Sequence, residues 1–212
     1  MGDDEQEAAR LGFSFPHPRE RQQALEEALQ IIVGLWGQSP FTYQGKYFHV
    51  QEATLSPGCV QQPHVPILIA GGGERVTLRQ VAQYADMANF GSHVWMGKAF
   101  SLADVRRKFA VLRHYCEEQG RPYDAVVRSY GTFPLVLAKT PAAVQAKLAA
   151  MPQEALEFLR SSLFAGTPQE ATVYYRALVD AGVQYFIAVL WEPGDETLQL
   201  LAQEVVPALA AA

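Results

Sequence analysis

Cysteine is scarce in this chain. Only Cys59 and Cys116 occur among 212 residues, too few for a disulfide framework, so both read as reduced thiols. Long apolar runs are missing too. The richest stretches, Val65 to Ala70 and Tyr185 to Trp191, fall far short of the roughly 20 residues a membrane span needs. Basic excess is absent: 17 Lys and Arg against 22 Asp and Glu leave a net charge of -5, which argues against a nucleic-acid or anionic-membrane binder. The first residues, Met1 to Glu7, are acidic and polar and lack the pattern of a signal peptide. Gln6 stands where a myristoylation signal wants Ser or Thr, so the expected location is the cytoplasm. The histidines His17, His49, His64, His93 and His114 show no i, i+4 pairing, and no metal site is expected. No Gly-x-Ser-x-Gly elbow occurs, and neither cysteine sits in a nucleophile motif.

What remains is a folding composition, 49% hydrophobic and 18% charged, too apolar for disorder. Leu25, Ala28, Leu29, Ile32, Val33 and Trp36 repeat at helical spacing between Arg19 and Trp36, and Gly37 supplies a stop. Phe41 to Val50 predicts a hairpin around Gln44-Gly45. From Ile67 onward, strand and helix alternate. Strands are expected at Ile67 to Ala70, Met87 to Phe90, Val126 to Ala138 (interrupted at Gly131 and Pro134) and Tyr185 to Leu190. Helices are expected from Glu74 to Tyr84, from the capping box at Ser101 and Asp104 to Gln119 with Gly120 as the stop, from Thr140-Pro141, from the capping box at Thr167 and Glu170 to Ala181 with Gly182 behind it, and from Glu196. About four β/α units predict a parallel sheet covered on both faces, either a doubly wound sheet or part of a barrel. The chain reads as one domain, with residues 1–66 as a helix-plus-hairpin region and 67–212 as the β/α units.

One segment carries chemistry. Pro66 to Ala70 runs into Gly71, Gly72 and Gly73, then into a helix that starts with Glu74, Arg75 and Val76. Glycines admit a ligand close to the backbone, and a helix start offers unpaired N–H groups. Phosphate is the natural guest; a ligand-free turn needing φ > 0 is the other reading. A dinucleotide fingerprint fails, because Val76 stands where Gly or Ala is needed and Phe90-Gly91 occupies the place of the acidic residue. No Gly-Lys-Ser/Thr follows for a Walker A loop. His93 lies just past the end of the next strand, where barrel enzymes keep their chemistry, although a solvated loop histidine is the simpler reading. Arg106-Arg107-Lys108 reads as a solvated helix face, Tyr174, Tyr175 and Tyr185 as core, and Asp86 as a turn brace. No general acid or base can be named.

Taken together, Arg21 to Trp36, Phe41 to Phe48, Val60 to Pro66, Ile67 to Asn89, Lys108 to Tyr123 and Gly166 to Val189, in that order, resemble the luciferase-like monooxygenase superfamily. The resemblance is strongest to its F420-dependent oxidoreductase branch. It implies an α/β fold, a (β/α)8 TIM barrel, that binds coenzyme F420 or, alternatively, FMN at the C-terminal ends of its strands. The implied chemistry is hydride transfer to or from, or monooxygenation of, a small organic substrate, with the cofactor supplying the reactivity. The turn matching Gly71 to Glu74 would hold the cofactor's phosphate, with Arg75 and Val76 adding N–H groups from the first helical turn. Asn89 and His93 would lie near the ring or substrate. A whole barrel needs about 250 residues, and the family's first four β/α units have no counterpart here. The expectation is therefore a carboxy-terminal half barrel completed by a second copy or by an amino-terminal half, or a truncated reading frame. The alternative to an enzyme is a non-catalytic cofactor-binding or assembly remnant.

Overall fold

The computed structural model describes residues 4–91, 100–191 and 194–211. The chain forms two compact units, one of residues 1–67 with 83–85 and one of 68–82 with 86–212.

In the first unit, α1 (Glu5–Arg10) precedes α2 (Pro18–Gly37). The α2 start is set by Pro18 at its first position and by the His17 ring, whose Nδ1 accepts from the Arg19 N–H at 3.3 Å. The hairpin is β1 (Phe41–Gln44) with β2 (His49–Ala53), longer at its far end than the sequence pattern predicts. Glu27 of α2 ties the hairpin turn down. Its carboxylate accepts the backbone N–H groups of Lys46 and Tyr47 at 2.8 Å and of Phe48 at 3.0 Å. Burial pushes this carboxyl up, but the three donors pull it down further, and the net shift is downward.

The second unit holds the sheet: β3 (Leu68–Ala70), β4 (Met87–Gly91), β5 (Val127–Leu137), β6 (Phe164–Gly166) and β7 (Tyr185–Leu190), all parallel. β3, β4 and β5 are neighbours in that order, and both β6 and β7 pair with β5. The sheet stays open. β6 escaped the sequence reading because three residues, Phe164 to Gly166, are too few to show a period. β5 is continuous through Gly131, which pairs with Gly91. The expected break reduces to a register shift against β7 between Thr132 and Leu135, around Pro134, which has no N–H to give.

Helices α3 (Thr77–Tyr84), α4 (Leu102–Glu118), α5 (Pro141–Ala150), α6 (Gln153–Leu159) and α7 (Pro168–Asp180) follow in chain order. A final helical stretch, α8 (Asp195–Leu200), passes through a π-turn (Leu201–Val205) into α9 (Val206–Ala210). Both predicted capping boxes are present, at Ser101 with Asp104 and at Thr167 with Glu170. Gly120 and Gly182, just past α4 and α7, have φ of +64° and +106°, the left-handed conformation that glycine adopts without strain.

One face of this sheet is a core. Ile69, Ala88, Phe90 and Tyr130 are buried there with Val105, Phe109 and Leu112 of α4, and Phe90 meets Phe109 at 4.9 Å between ring centroids. Each such aromatic contributes about 2 kcal/mol by burial, and Leu112→Ala would cost about 3 kcal/mol by opening a cavity. Among the described residues, apolar side chains on the other face stay partly exposed, which departs from the expectation of helices on both sides. Leu68, Val127, Tyr185 and Val189 are 47%, 36%, 53% and 39% exposed. Residues paired across parallel strands share a face, and the register puts Leu68 beside Met87 and Val127, and Ser129 beside Tyr185. Among the described residues, this side of the sheet lacks the packing that α4 gives to the side of Ile69, Ala88, Phe90 and Tyr130. Tyr185 is accordingly not core, whereas Tyr175 is.

Candidate functional site

The glycine turn sits at the C-terminal end of β3. Gly71 leaves the strand with φ of +123°, a conformation an L side chain rarely adopts, and its N–H donates to the Asn89 carbonyl at 2.8 Å. That bond is where Asn89 joins the site. Asn89 lies beside Ala70 on one flank and Ser129 on the other, and its Nδ2 donates to Ser129 Oγ at 2.9 Å. Ser129 passes the chain on to the Ala88 carbonyl at 2.8 Å. Asn89 is thereby a rigid edge of the turn.

At the other two glycines an added Cβ would crowd neighbouring side chains. A Cβ on Gly72 would come within 3.1 Å of the Phe100 ring and 3.2 Å of Lys108 Cε. A Cβ on Gly73 would lie 2.9 Å from Thr77 Oγ1. Gly72 is buried and Gly73 exposed, so the turn rises out of the sheet edge. The helix starts later than the sequence pattern suggests. Glu74, Arg75 and Val76 form a turn, and α3 begins at Thr77, with the Leu78 N–H donating back to the Gly73 carbonyl at 3.0 Å. The Arg75 and Val76 N–H groups therefore belong to the turn and not to a first helical turn. Among the described residues, the N–H groups of Gly73, Glu74, Arg75 and Val76 donate to no backbone carbonyl.

Charge at the turn comes from α4. Arg107 Nε donates to Glu74 Oε1 at 3.0 Å, and Lys108 Nζ reaches the same oxygen at 3.2 Å. Lys108 also donates to the Gly72 carbonyl at 2.5 Å and lies 4.7 Å above the Phe100 ring. The reading of Arg106-Arg107-Lys108 as a solvated face is thus corrected. Arg107 is largely exposed, but Lys108 is only 6% exposed and is part of the turn. The hydrogen bonds from Arg107 and then Lys108 hold the Glu74 carboxyl below the ordinary carboxylate value. Asp104, which is bound by Ser101 and also pairs with Arg107 at 2.9 Å, balances the second cation. A carboxylate so neutralised does not repel an anion at the adjacent N–H groups.

The turn therefore assembles Gly71, Gly72, Gly73 and Glu74, with Arg75 and Val76 exposed beside them and Asn89 bound in. His93 lies outside the described residues. Lys108, Thr77 and Ser129 were not anticipated as site residues; Thr77, four positions after Gly73, is the one a turn-based reading could have found. Among the described residues, no group of three or more His, Cys, Asp and Glu side chains could hold a metal ion, and no helix is long and apolar enough to cross a membrane.

A parallel sheet with a glycine turn at a strand's C-terminal end is the architecture of barrel-type cofactor enzymes. The profile of the luciferase-like monooxygenase family matches residues 1–203, and the chain belongs to that family. Among curated relatives, an F420-dependent glucose-6-phosphate dehydrogenase of Kineococcus radiotolerans is 28% identical over 94% of this chain and 64% of its own length. An FMNH(2)-dependent dimethylsulfone monooxygenase of Pseudomonas putida is 27% identical over 49% of this chain and 28% of its own. Among solved structures, EDTA monooxygenase of Chelativorans sp. BNC1 superimposes with a TM-score of 0.76 at 20% identity, covering 99% of this chain and 64% of that one. The coenzyme F420-dependent tetrahydromethanopterin reductase of Methanopyrus kandleri gives 0.72 at 18% identity, covering 98% and 72%. The fold is thus that of the luciferase-like barrels, here with the sheet not closed, and the chain spans less than two thirds of the length of these curated relatives.

Proposed function

We propose that this chain is the cofactor-phosphate-binding portion of an F420-dependent oxidoreductase, with FMN as the alternative cofactor. The observation that carries this reading is the turn after β3, where Gly71 takes a conformation suited to glycine and the N–H groups of Gly73 to Val76 donate to no backbone carbonyl among the described residues. Gly71 to Val76 would hold the phosphate through N–H groups, with Asn89 bracing the edge and His93 near the ring or substrate. When bound, the cofactor supplies hydride transfer or oxygen activation toward a small organic substrate. The chain's own residues bind and orient it. The names of the relatives, some F420-dependent and some FMN-dependent, support both cofactors.

The exposed apolar inner face favours completion of the barrel by a second copy of the chain or by an amino-terminal half, within a cytoplasmic protein. In this arrangement residues 1–66 serve as the helix-and-hairpin region of the same barrel domain. The same exposed face is what favours the second reading, a binding or assembly module without turnover. Titration of the purified chain with F420 and with FMN, followed by fluorescence, tests the proposal; saturable binding of one of them is expected. Binding of neither, alone or with an amino-terminal half, overturns it. Steady turnover by the 212-residue chain alone would dismiss the second reading.

A further inference from the structure

Lys108 is a buried ammonium whose partners are all at the turn: the Gly72 carbonyl, the Glu74 carboxylate and the Phe100 ring. Burying a Lys is costly, and surface helix positions rarely do it without a purpose at the buried end. The Gly72–Gly73 peptide is trans, so its C=O and N–H point to opposite sides of the chain. Lys108 holds the C=O on the buried side. The Gly73 N–H is therefore turned toward the exposed side, where Gly73 itself lies. An ammonium bonded to the carbonyl also polarises the peptide and strengthens its N–H as a donor. Three glycines in a row could otherwise rotate this peptide freely.

From this geometry we propose that Lys108 is the positioning residue of the turn. It locks the Gly72–Gly73 peptide so that the Gly73 N–H faces the phosphate, without touching the phosphate itself. The inference rests on the cofactor reading above and deepens it. Arg107, more exposed, holds Glu74 alone and plays the lesser part.

The test compares wild type, Lys108→Met and Lys108→Arg by thermal melting, by fluorescence titration with FMN, F420 and phosphate-free riboflavin, and by the backbone amide signal of Gly73 in ligand-free protein. Lys108→Met is expected to bind FMN or F420 about tenfold more weakly, the loss of roughly one hydrogen bond to a charged group. Riboflavin affinity should stay unchanged, the Gly73 amide signal should shift, and Lys108→Arg should recover part of the loss. Three results overturn the proposal while leaving the cofactor reading intact: equal FMN binding by folded Lys108→Met, equal losses for FMN and riboflavin, or a loss of FMN with no change at the Gly73 amide. Failure of the wild type to bind either FMN or F420 overturns the cofactor reading and this proposal with it.

Discussion

Two strand-to-helix junctions of the same sheet face opposite ways chemically. After β6, Gly166 leads into Thr167, whose Oγ1 accepts from the Glu170 N–H, while the Glu170 carboxylate accepts from the Thr167 N–H at 2.7 Å. Pro168 occupies the first helical position and has no N–H at all. That junction is closed by its own side chains: the Thr167 and Glu170 N–H groups are both satisfied within the chain. After β3, three glycines lead to a start where the N–H groups of Gly73 to Val76 donate to no backbone carbonyl among the described residues, and the nearby carboxylate is turned to Arg107 and Lys108. The junctions use the same elements of secondary structure. What differs is who satisfies the helix start, and a start the chain leaves open is one a ligand can use.

The strongest way to break this contrast is to fill the open junction. Gly71→Ala forces a side chain into φ of +123°, and Gly73→Ala drives a Cβ to 2.9 Å from Thr77 Oγ1. Each should lower FMN or F420 affinity by tenfold or more, and Gly71→Ala should also cost about 1–3 kcal/mol of stability. Titration and denaturant melts check both; retained affinity in both variants would remove the turn from the site. A smaller effect is expected at the closed junction. Thr167→Ala should cost about 1 kcal/mol in a urea melt and leave cofactor affinity unchanged.

The smallest expected effect lies in acid. Hydrogen bonds from Thr167 hold Glu170 below the ordinary value of 4.5, as those from Arg107 and Lys108 hold Glu74. A carboxyl depressed in the folded state stabilises fully above its unfolded value and loses that contribution as the pH falls through the lowered folded value. The contribution of these two carboxyls should thus be level well above pH 4.5 and decline as the pH falls below it. Glu170→Gln, stable to a lower level at neutral pH, should show a shallower acid decline. An identical acid limb in wild type and variant would show that Glu170 plays no part.

Much of the fold was legible from local patterns. The two capping boxes, the Thr140-Pro141 start, the stop at Gly120 and four of the five parallel strands depend on neighbours within a few positions, and the chain carries those signals directly. β6 was not legible, because three residues hold no period and its strand character comes from pairing with Leu135 to Leu137. The glycine turn was legible as a turn. Its tie to Asn89 was not, since the Gly71 N–H crosses to another strand. Lys108 was misread because it was taken with its sequence neighbours Arg106 and Arg107; helical spacing places it instead on the stripe of Val105 and Leu112, and the packing of α4 buries it at Gly72.

By itself, then, the sequence determined the alternation of strands and helices, the helix ends, and a glycine turn suited to an anion. These rest on backbone sterics and short-range hydrogen bonds. Tertiary structure alone decided which donors stay open, which carboxylate is neutralised, and which sheet face is left bare. Those depend on residues some 30 to 40 positions apart in the chain, such as Gly72 with Lys108 and Asn89 with Ser129, whose meeting no local pattern encodes.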